Sequence, residues 1–179
     1  MMNRMDTFAK YKGMTLLEVL ISVVILAIGM LGIASMLIVS NKANNSSYAK
    51  LQAVQAIYDI FDRIRANSEA ASNGSYNVSN IGSNGYPTPV SAPSVLCNAT
   101  VCNPNQLAQY DTWYWLTRVV SQLPNGSGSI TSALSGVAGN TVITVTVQWD
   151  DSKAQNELGA SSASSGTANF VQFRVQSQI

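Results

Sequence analysis

Histidine is absent from the sequence, and charged residues make up only 11% of it. Without histidine the chain lacks the most common general base and the most common metal ligand, so we expect no catalysis, no metal ion and no cofactor. Charged residues make up roughly a quarter of an average globular domain. The low charge content therefore indicates that part of the chain lies in a membrane or an assembly.

The few charges nearly cancel, because the chain has ten basic and nine acidic side chains and a net charge of +1. A surface that binds nucleic acid needs an excess of basic side chains along the phosphate backbone. Residues 40–179 carry as many acidic as basic side chains. We therefore expect no direct binding of nucleic acid.

One long apolar run occupies residues 14–39, and Glu18 is its only charged residue. As a helix this run would be about 39 Å long, which is enough to cross the roughly 30 Å hydrocarbon core of a bilayer. The run thus predicts a single transmembrane helix. Three basic residues precede it and place the N-terminus in the cytoplasm: Arg4, Lys10 and Lys12.

The length of the apolar run argues against an ordinary secretory signal, which is cut after a shorter apolar stretch and beside small residues. A cut at Ala27-Ile28-Gly29 would discard half of a continuous helix. A lipoprotein signal would need a cysteine near the end of the run, and both cysteines lie far downstream. A cut before the run, between Gly13 and Met14, would leave the helix whole.

The residues around that junction resemble the class III signal of type IV prepilins, and they read Gly13-Met14-Thr15-Leu16-Leu17-Glu18-Val19-Leu20. The family's signal combines a short basic leader that ends in glycine with a hydrophobic first mature residue and a glutamate four residues later. The resemblance implies that a prepilin peptidase removes residues 1–13 by cutting between Gly13 and Met14, and then methylates the new amine of Met14. Met14 departs from the pattern, because phenylalanine is usual there.

Removal of the leader would give Glu18 a partner. A carboxylate within the bilayer is costly and indicates a function. The cut would create a cationic amine on Met14, and residues four apart share one face of a helix. We predict that Glu18 pairs with the amine of Met14, in its own chain or in a neighbouring subunit, during assembly. The alternative is that Glu18 reaches back to the lipid headgroups without a partner.

A second, amphipathic helical segment is predicted for residues 40–66. Its apolar stripe combines side chains at helical spacing: Leu51, Val54, Tyr58 and Phe61, with Ile57, Ile60 and Ile64 beside them. No proline occurs between Met14 and Asn67. One continuous helix would therefore join the transmembrane and assembly half, residues 14–39, to this amphipathic half.

Residues 67–179 are expected to form a globular extracytoplasmic domain. Its first part, residues 67–106, is rich in asparagine, serine, glycine and proline and predicts loops. This part contains both cysteines, Cys97 and Cys102. Because the two cysteines are close in sequence and lie outside the cytoplasm, we predict a local disulfide between them.

The remainder of this domain predicts a short helix and a small antiparallel sheet. Residues 110–123 have apolar side chains at helical spacing, with Asp111 or Thr112 as the expected N-cap. Alternating apolar and polar side chains predict strands at residues 141–149 and 170–176, and a shorter one at residues 129–131. We therefore predict an α+β, pilin-like fold, in which the long N-terminal helix packs on the sheet.

The order of these downstream elements resembles PilV-type minor pilins: a tryptophan-containing helix, then Leu123-Pro124-Asn125-Gly126-Ser127-Gly128-Ser129-Ile130, then Ile143-Thr144-Val145-Thr146-Val147-Gln148-Trp149. The resemblance implies a low-abundance subunit that joins other minor pilins in a tip complex and primes assembly of the major pilin. It also implies roles in twitching motility and adhesion. The chain would first span the lipid of a bacterial inner membrane and then enter the extracellular pilus.

Three other functions agree less well with the sequence. A minor pseudopilin of a type II secretion system would share the signal and the helix. An enzyme on a membrane anchor would need a nucleophile and a base, and the serines of residues 161–166 favour a flexible loop instead. A calcium site built from Asp150, Asp151 and Glu157 would have a spacing that matches no known calcium loop, so a solvated turn is favoured.

Overall fold

The computed structural model describes residues 13–135, 140–152 and 168–179. It confirms the predicted α+β, pilin-like architecture, with a long N-terminal helix, a short helix and a small antiparallel sheet. The elements in chain order are α1 (Leu16–Ala66), α2 (Ser68–Ser72), β1 (Val78–Ser79), α3 (Pro104–Tyr114), β2 (Ser127–Leu134), β3 (Thr141–Asp150) and β4 (Phe170–Gln178). Directly after α3 the chain continues as a π-helical turn (Trp115–Val119) and a 3-10 turn (Val120–Gln122). Arg4, Lys10, Lys12, Glu157 and residues 161–166, on which several predictions depend, lie outside the described residues.

Helix α1 is continuous over the two segments that the sequence pattern distinguishes. The chain divides within this helix into two compact units, Met1–Ser40 and Asn41–Ile179. In the first unit every residue from 13 to 40 is exposed. The mean hydropathy of the most apolar part of α1 is 2.7, so by length and composition the helix can cross a membrane.

The second unit buries a face of α1 that is centred on alanine. The buried side chains of this face are Ala49, Ala53, Ala56, Ile57, Ile60, Phe61 and Ile64. Part of the predicted apolar stripe is therefore confirmed, but Leu51 and Tyr58 are 62% and 63% exposed. The prediction was wrong there because it followed the largest side chains, whereas the small alanines allow other elements to approach the helix backbone closely.

Trp115 packs against this alanine face. It is completely buried, and its indole Nε1 donates a hydrogen bond of 2.8 Å to the carbonyl oxygen of Ala56. The ring also lies against Gly128 of β2, where a Cβ atom would come within 2.6 Å of it. Trp115 therefore joins α1 to the sheet, and only a residue without a side chain leaves room for its ring at position 128.

The four strands form one antiparallel sheet in the order β1-β2-β3-β4. Strand β3 lies inside the sheet, and its Val145 is paired with Ile130 of β2 and with Val175 of β4. The predicted alternation of β3 is confirmed in its buried apolar side chains, which are Ile143, Val145, Val147 and Trp149. These side chains belong to the same core cluster as the buried face of α1.

Two strands differ from their prediction. Strand β2 has eight residues, where only residues 129–131 were expected, and the two-residue strand β1 was not predicted. Serine and glycine have a low strand propensity, so the sequence of β2 indicates strand structure only weakly. All eight residues of β2 pair with residues 141–148 of β3, and this pairing supplies the hydrogen bonds that stabilise β2.

Helix α3 begins earlier than predicted. Its N-cap is Asn103, whose side chain accepts a hydrogen bond from the N–H of Gln106, and the side chain of Gln106 bonds back to the N–H of Asn103. This capping box starts the helix at Pro104, a residue that favours the first helical position. The predicted caps Asp111 and Thr112 were therefore wrong, because both lie within the helix and are buried.

Asp111 instead belongs to a buried polar network that ties α3 to α1. Its Oδ1 accepts a hydrogen bond of 3.0 Å from Arg63 of α1, and its Oδ2 accepts one of 2.9 Å from the hydroxyl of Tyr76. The same arginine is bonded to Asp59 at 3.1 Å. A buried carboxylate is tolerated only when it is paired in this way.

Tyr76 has a perturbed acidity because of its position in this network. Burial is the largest cause and raises the pKa of Tyr76 well above its usual value near 10. The charge of Asp111 acts in the same direction, while a hydrogen bond from Asn67 opposes it. The native state therefore holds a phenolic proton that the unfolded chain would release at alkaline pH.

The exposure of Leu51 gives a direct test of which face of α1 is the core. We expect Ile60→Ala to lower the free energy of unfolding by about 3 kcal/mol, because it leaves a cavity in a packed core. The matched variant Leu51→Ala should change it by less than about 0.5 kcal/mol. Denaturant unfolding of the full chain in detergent, followed by tryptophan fluorescence, measures both values. Equal losses in the two variants would contradict the alanine-centred core.

The network around Tyr76 predicts a loss of stability at alkaline pH. Because the folded pKa lies above the unfolded value near 10, this contribution is complete below pH 10 and declines as the pH rises further. Tyr76→Phe should remove this part of the decline, and Tyr58→Phe, at an exposed tyrosine, should leave it unchanged. Denaturant unfolding between pH 8 and pH 11 in detergent is the measurement. An unchanged alkaline decline in Tyr76→Phe would show that the phenolic proton of Tyr76 does not contribute to the pH dependence of stability.

Candidate processing and assembly site

Three described residues precede α1: Gly13, Met14 and Thr15. None of them is helical, because α1 begins at Leu16. All three are exposed, and Met14 is exposed at 76%. The peptide bond between Gly13 and Met14 therefore lies in accessible, non-helical backbone directly before the helix.

Gly13 is surrounded by open space. Apart from its own chain neighbours, no atom of the described residues lies within 4 Å of the position that a Cβ atom would occupy. Nothing in the packing of the described chain demands a glycine here. A glycine at this position is better explained by recognition by a protease, because a protease can approach the backbone closely where no side chain projects.

Thr15 caps the start of α1. Its carbonyl oxygen accepts hydrogen bonds from the backbone N–H groups of Glu18 and Val19, at 3.1 and 3.3 Å. Its side-chain Oγ1 also accepts a hydrogen bond of 3.3 Å from the N–H of Glu18. This cap was not predicted, although threonine followed three residues later by glutamate is the sequence signature of a capping box.

Glu18 lies in the first turn of α1. Its neighbours Leu17 and Ile21 are exposed apolar residues, and a carboxylate at this point is favoured by the partial positive charge of the helix N-terminus. With the leader attached, α1 begins two residues after Met14. A helix face shared by Met14 and Glu18 therefore requires the helix to lengthen after the cut. The pairing of Glu18 with the Met14 amine stays a prediction.

The structure pairs Cys97 with Cys102, with 1.97 Å between the two sulfur atoms and 5.6 Å between the two Cα atoms. The predicted disulfide is thus confirmed. It closes a small loop directly before Asn103, the N-cap of α3. Because a short loop removes little chain entropy, we interpret the disulfide as a local constraint on the entry to this helix.

The two described aspartates that were considered for calcium do not form the expected solvated turn, because Asp150 ends β3 and Asp151 is buried. Asp150 accepts hydrogen bonds from the backbone N–H groups of Ser152, at 3.0 Å, and Asn169, at 3.3 Å. Burial would raise the pKa of Asp150, but the hydrogen bonds outweigh it and lower this pKa below its usual value. Within residues 13–135, 140–152 and 168–179, no group of three or more potential metal-ligating side chains occurs.

Two family models match consecutive parts of the chain. The first, described as the prokaryotic N-terminal methylation motif, matches residues 8–34. The second, described as type IV pilin Tt1218, matches residues 35–113. Searches of curated proteins and of solved structures returned no match.

The first match contains the junction between Gly13 and Met14, the cap Thr15 and the carboxylate of Glu18. The second contains the rest of α1, the disulfide and nearly all of α3. Type IV pilins are structural subunits, and the motif implies processing by a prepilin peptidase and assembly with other pilins. The exposed apolar part of α1 supports membrane anchoring before that assembly. From these two matches and the pilin-like fold, we conclude that the chain is a type IV pilin with a class III signal.

Proposed function

We propose that this pilin is a minor subunit that primes assembly of the type IV pilus, in a tip complex with other minor pilins. The observation that carries the proposal is the accessible junction directly before the apolar half of α1, where every residue from 13 to 40 is exposed. The minor role is supported by the order of the elements after α1, which resembles PilV-type minor pilins. The PilV assignment stays a prediction, and twitching motility and adhesion would be roles of the pilus that the subunit helps to build.

The exposed apolar half of α1 must be shielded from water both before assembly and in the filament. Burial of one leucine or isoleucine side chain contributes about 2 kcal/mol, so an uncovered helix of this kind is strongly disfavoured in water. The lipid of the bacterial inner membrane would supply the cover before assembly, with the N-terminus in the cytoplasm. The helices of the major pilin and other minor pilins would supply it in the filament.

Processing would connect these two stages. We assign the cut to the peptide bond between Gly13 and Met14, where the backbone is exposed and not helical. Met14 then becomes the N-terminal residue and receives the methyl group from the prepilin peptidase. Methylation retains the positive charge of the amine, so the terminus remains a possible partner for a carboxylate.

Glu18 would supply that carboxylate. An unpaired charge within lipid or within a helix bundle costs a few kcal/mol, and a pair of opposite charges reduces this cost. A subunit that entered the filament could therefore place its Met14 amine beside the Glu18 of a neighbour. The pairing would set the axial position of one subunit against the next.

The composition of sheared pili tests the proposed identity. Mass spectrometry of this fraction should find the chain starting at a methylated Met14, in much smaller amount than the major pilin. Cells that lack the chain should carry fewer pili and should secrete proteins normally. An intact leader, or a start near Ser35, would contradict the proposed processing. Absence from sheared pili together with a secretion defect would indicate a type II pseudopilin instead.

Substitution of Glu18 tests its part in assembly. We expect Glu18→Ala to leave leader removal intact and to reduce incorporation into sheared pili by about tenfold or more, because the amine loses its partner. Ser22→Ala, one turn further along the same helix face, should behave like the unchanged chain. Immunoblots of whole cells and of sheared pili measure processing and incorporation separately. Normal incorporation of Glu18→Ala would mean that the carboxylate has no role in assembly.

A further inference from the structure

We propose that Thr15 is a positioning residue for leader removal, because its cap holds the peptide bond between Gly13 and Met14 outside helix α1. This inference rests on the proposed cut at that bond. In the cut, water adds across the bond between the Gly13 carbonyl carbon and the Met14 nitrogen, and leaves a carboxylate on Gly13 and an ammonium group on Met14. Thr15 does not take part in this chemistry, and it determines the backbone conformation that the peptidase meets.

The argument begins with the N–H group of Glu18. In a helix that extended to Met14, this N–H would donate to the carbonyl oxygen of Met14, four residues earlier. In the structure it donates to the carbonyl oxygen of Thr15 at 3.1 Å and to the Thr15 Oγ1 at 3.3 Å. The threonine side chain therefore competes directly with the bond that would add another residue to the helix.

The neighbouring residues would not stop the helix by themselves. Methionine and leucine are strong helix formers, so Met14 and Leu16 favour helix growth towards the leader. Growth by one further residue would engage the carbonyl of Gly13, the group that water must attack, with the N–H of Leu17. A carbonyl that is bonded within a helix is not free for a peptidase, which needs access to the backbone on both sides of the bond.

The size of the effect follows from the known strength of N-caps. Loss of a threonine cap shifts the equilibrium at the start of a helix by about fivefold, within a wide range. Valine has nearly the same shape and helix propensity as threonine but no acceptor atom, so Thr15→Val removes the cap alone. Serine and asparagine retain an acceptor at this position. Residue 15 is exposed and lies far in sequence from the core residues of the second unit, which begin at Ala49.

The test is cleavage of the full chain in detergent by purified prepilin peptidase. We expect Thr15→Val to reduce kcat/KM by about fivefold. Thr15→Ser and Thr15→Asn should keep most of the kcat/KM of the unchanged chain, because they retain an acceptor. In parallel, ¹³C chemical shifts of Gly13 and Met14 should move towards helical values in Thr15→Val alone. An unchanged thermal unfolding curve in each variant would show that the second unit is intact.

Two results would overturn the inference. Cleavage of Thr15→Val at the rate of the unchanged chain would show that the Thr15 cap has no influence on leader removal. Slow cleavage of all three variants, with unchanged chemical shifts, would show that the peptidase reads the threonine side chain directly. Failure of the proposed function has a different signature, because the unchanged chain would then not be cut between Gly13 and Met14 at all.

Discussion

The exposed apolar surface of α1, over residues 16–39, is the constraint on which the other features of this pilin depend. A helix with this surface is stable only in lipid or among other helices, since its burial contributes about 2 kcal/mol for each large side chain. The same helix must also pass from one of these surroundings to the other. The proposed cut lies directly before this helix and Glu18 lies in its first turn, so changes at either place leave the apolar surface itself intact.

In the second unit, the sheet packs against the C-terminal part of α1, the same helix whose N-terminal part is the exposed apolar surface. Ala53 and Ala56 bring the partner elements close to the helix backbone, and the indole of Trp115 donates its hydrogen bond to a carbonyl of α1. Gly128 leaves the space that this ring needs. The large side chains Leu51 and Tyr58 remain exposed on another face of the helix.

The sequence predicted the elements better than their boundaries. The long helix, the strongest strand and the disulfide follow from hydrophobic periodicity, proline placement and cysteine spacing, all of which are local signals. The start of α3 was predicted too late in the sequence. Its first residues were assigned to the loop region, and its capping box at Asn103 was overlooked. Asp111 was interpreted as a cap, since sequence spacing does not show that Arg63 and Tyr76 would approach it.

The sequence by itself determined that this chain has an apolar helix, a glycine before that helix and a glutamate in its first turn. It also determined the family, because the class III signal is a short, contiguous motif. Only the tertiary structure decided which face of α1 is buried, how far β2 extends and where the buried carboxylate finds its partners. Those features depend on contacts between residues that are far apart in the chain, and the pattern of a single segment contains no information about them.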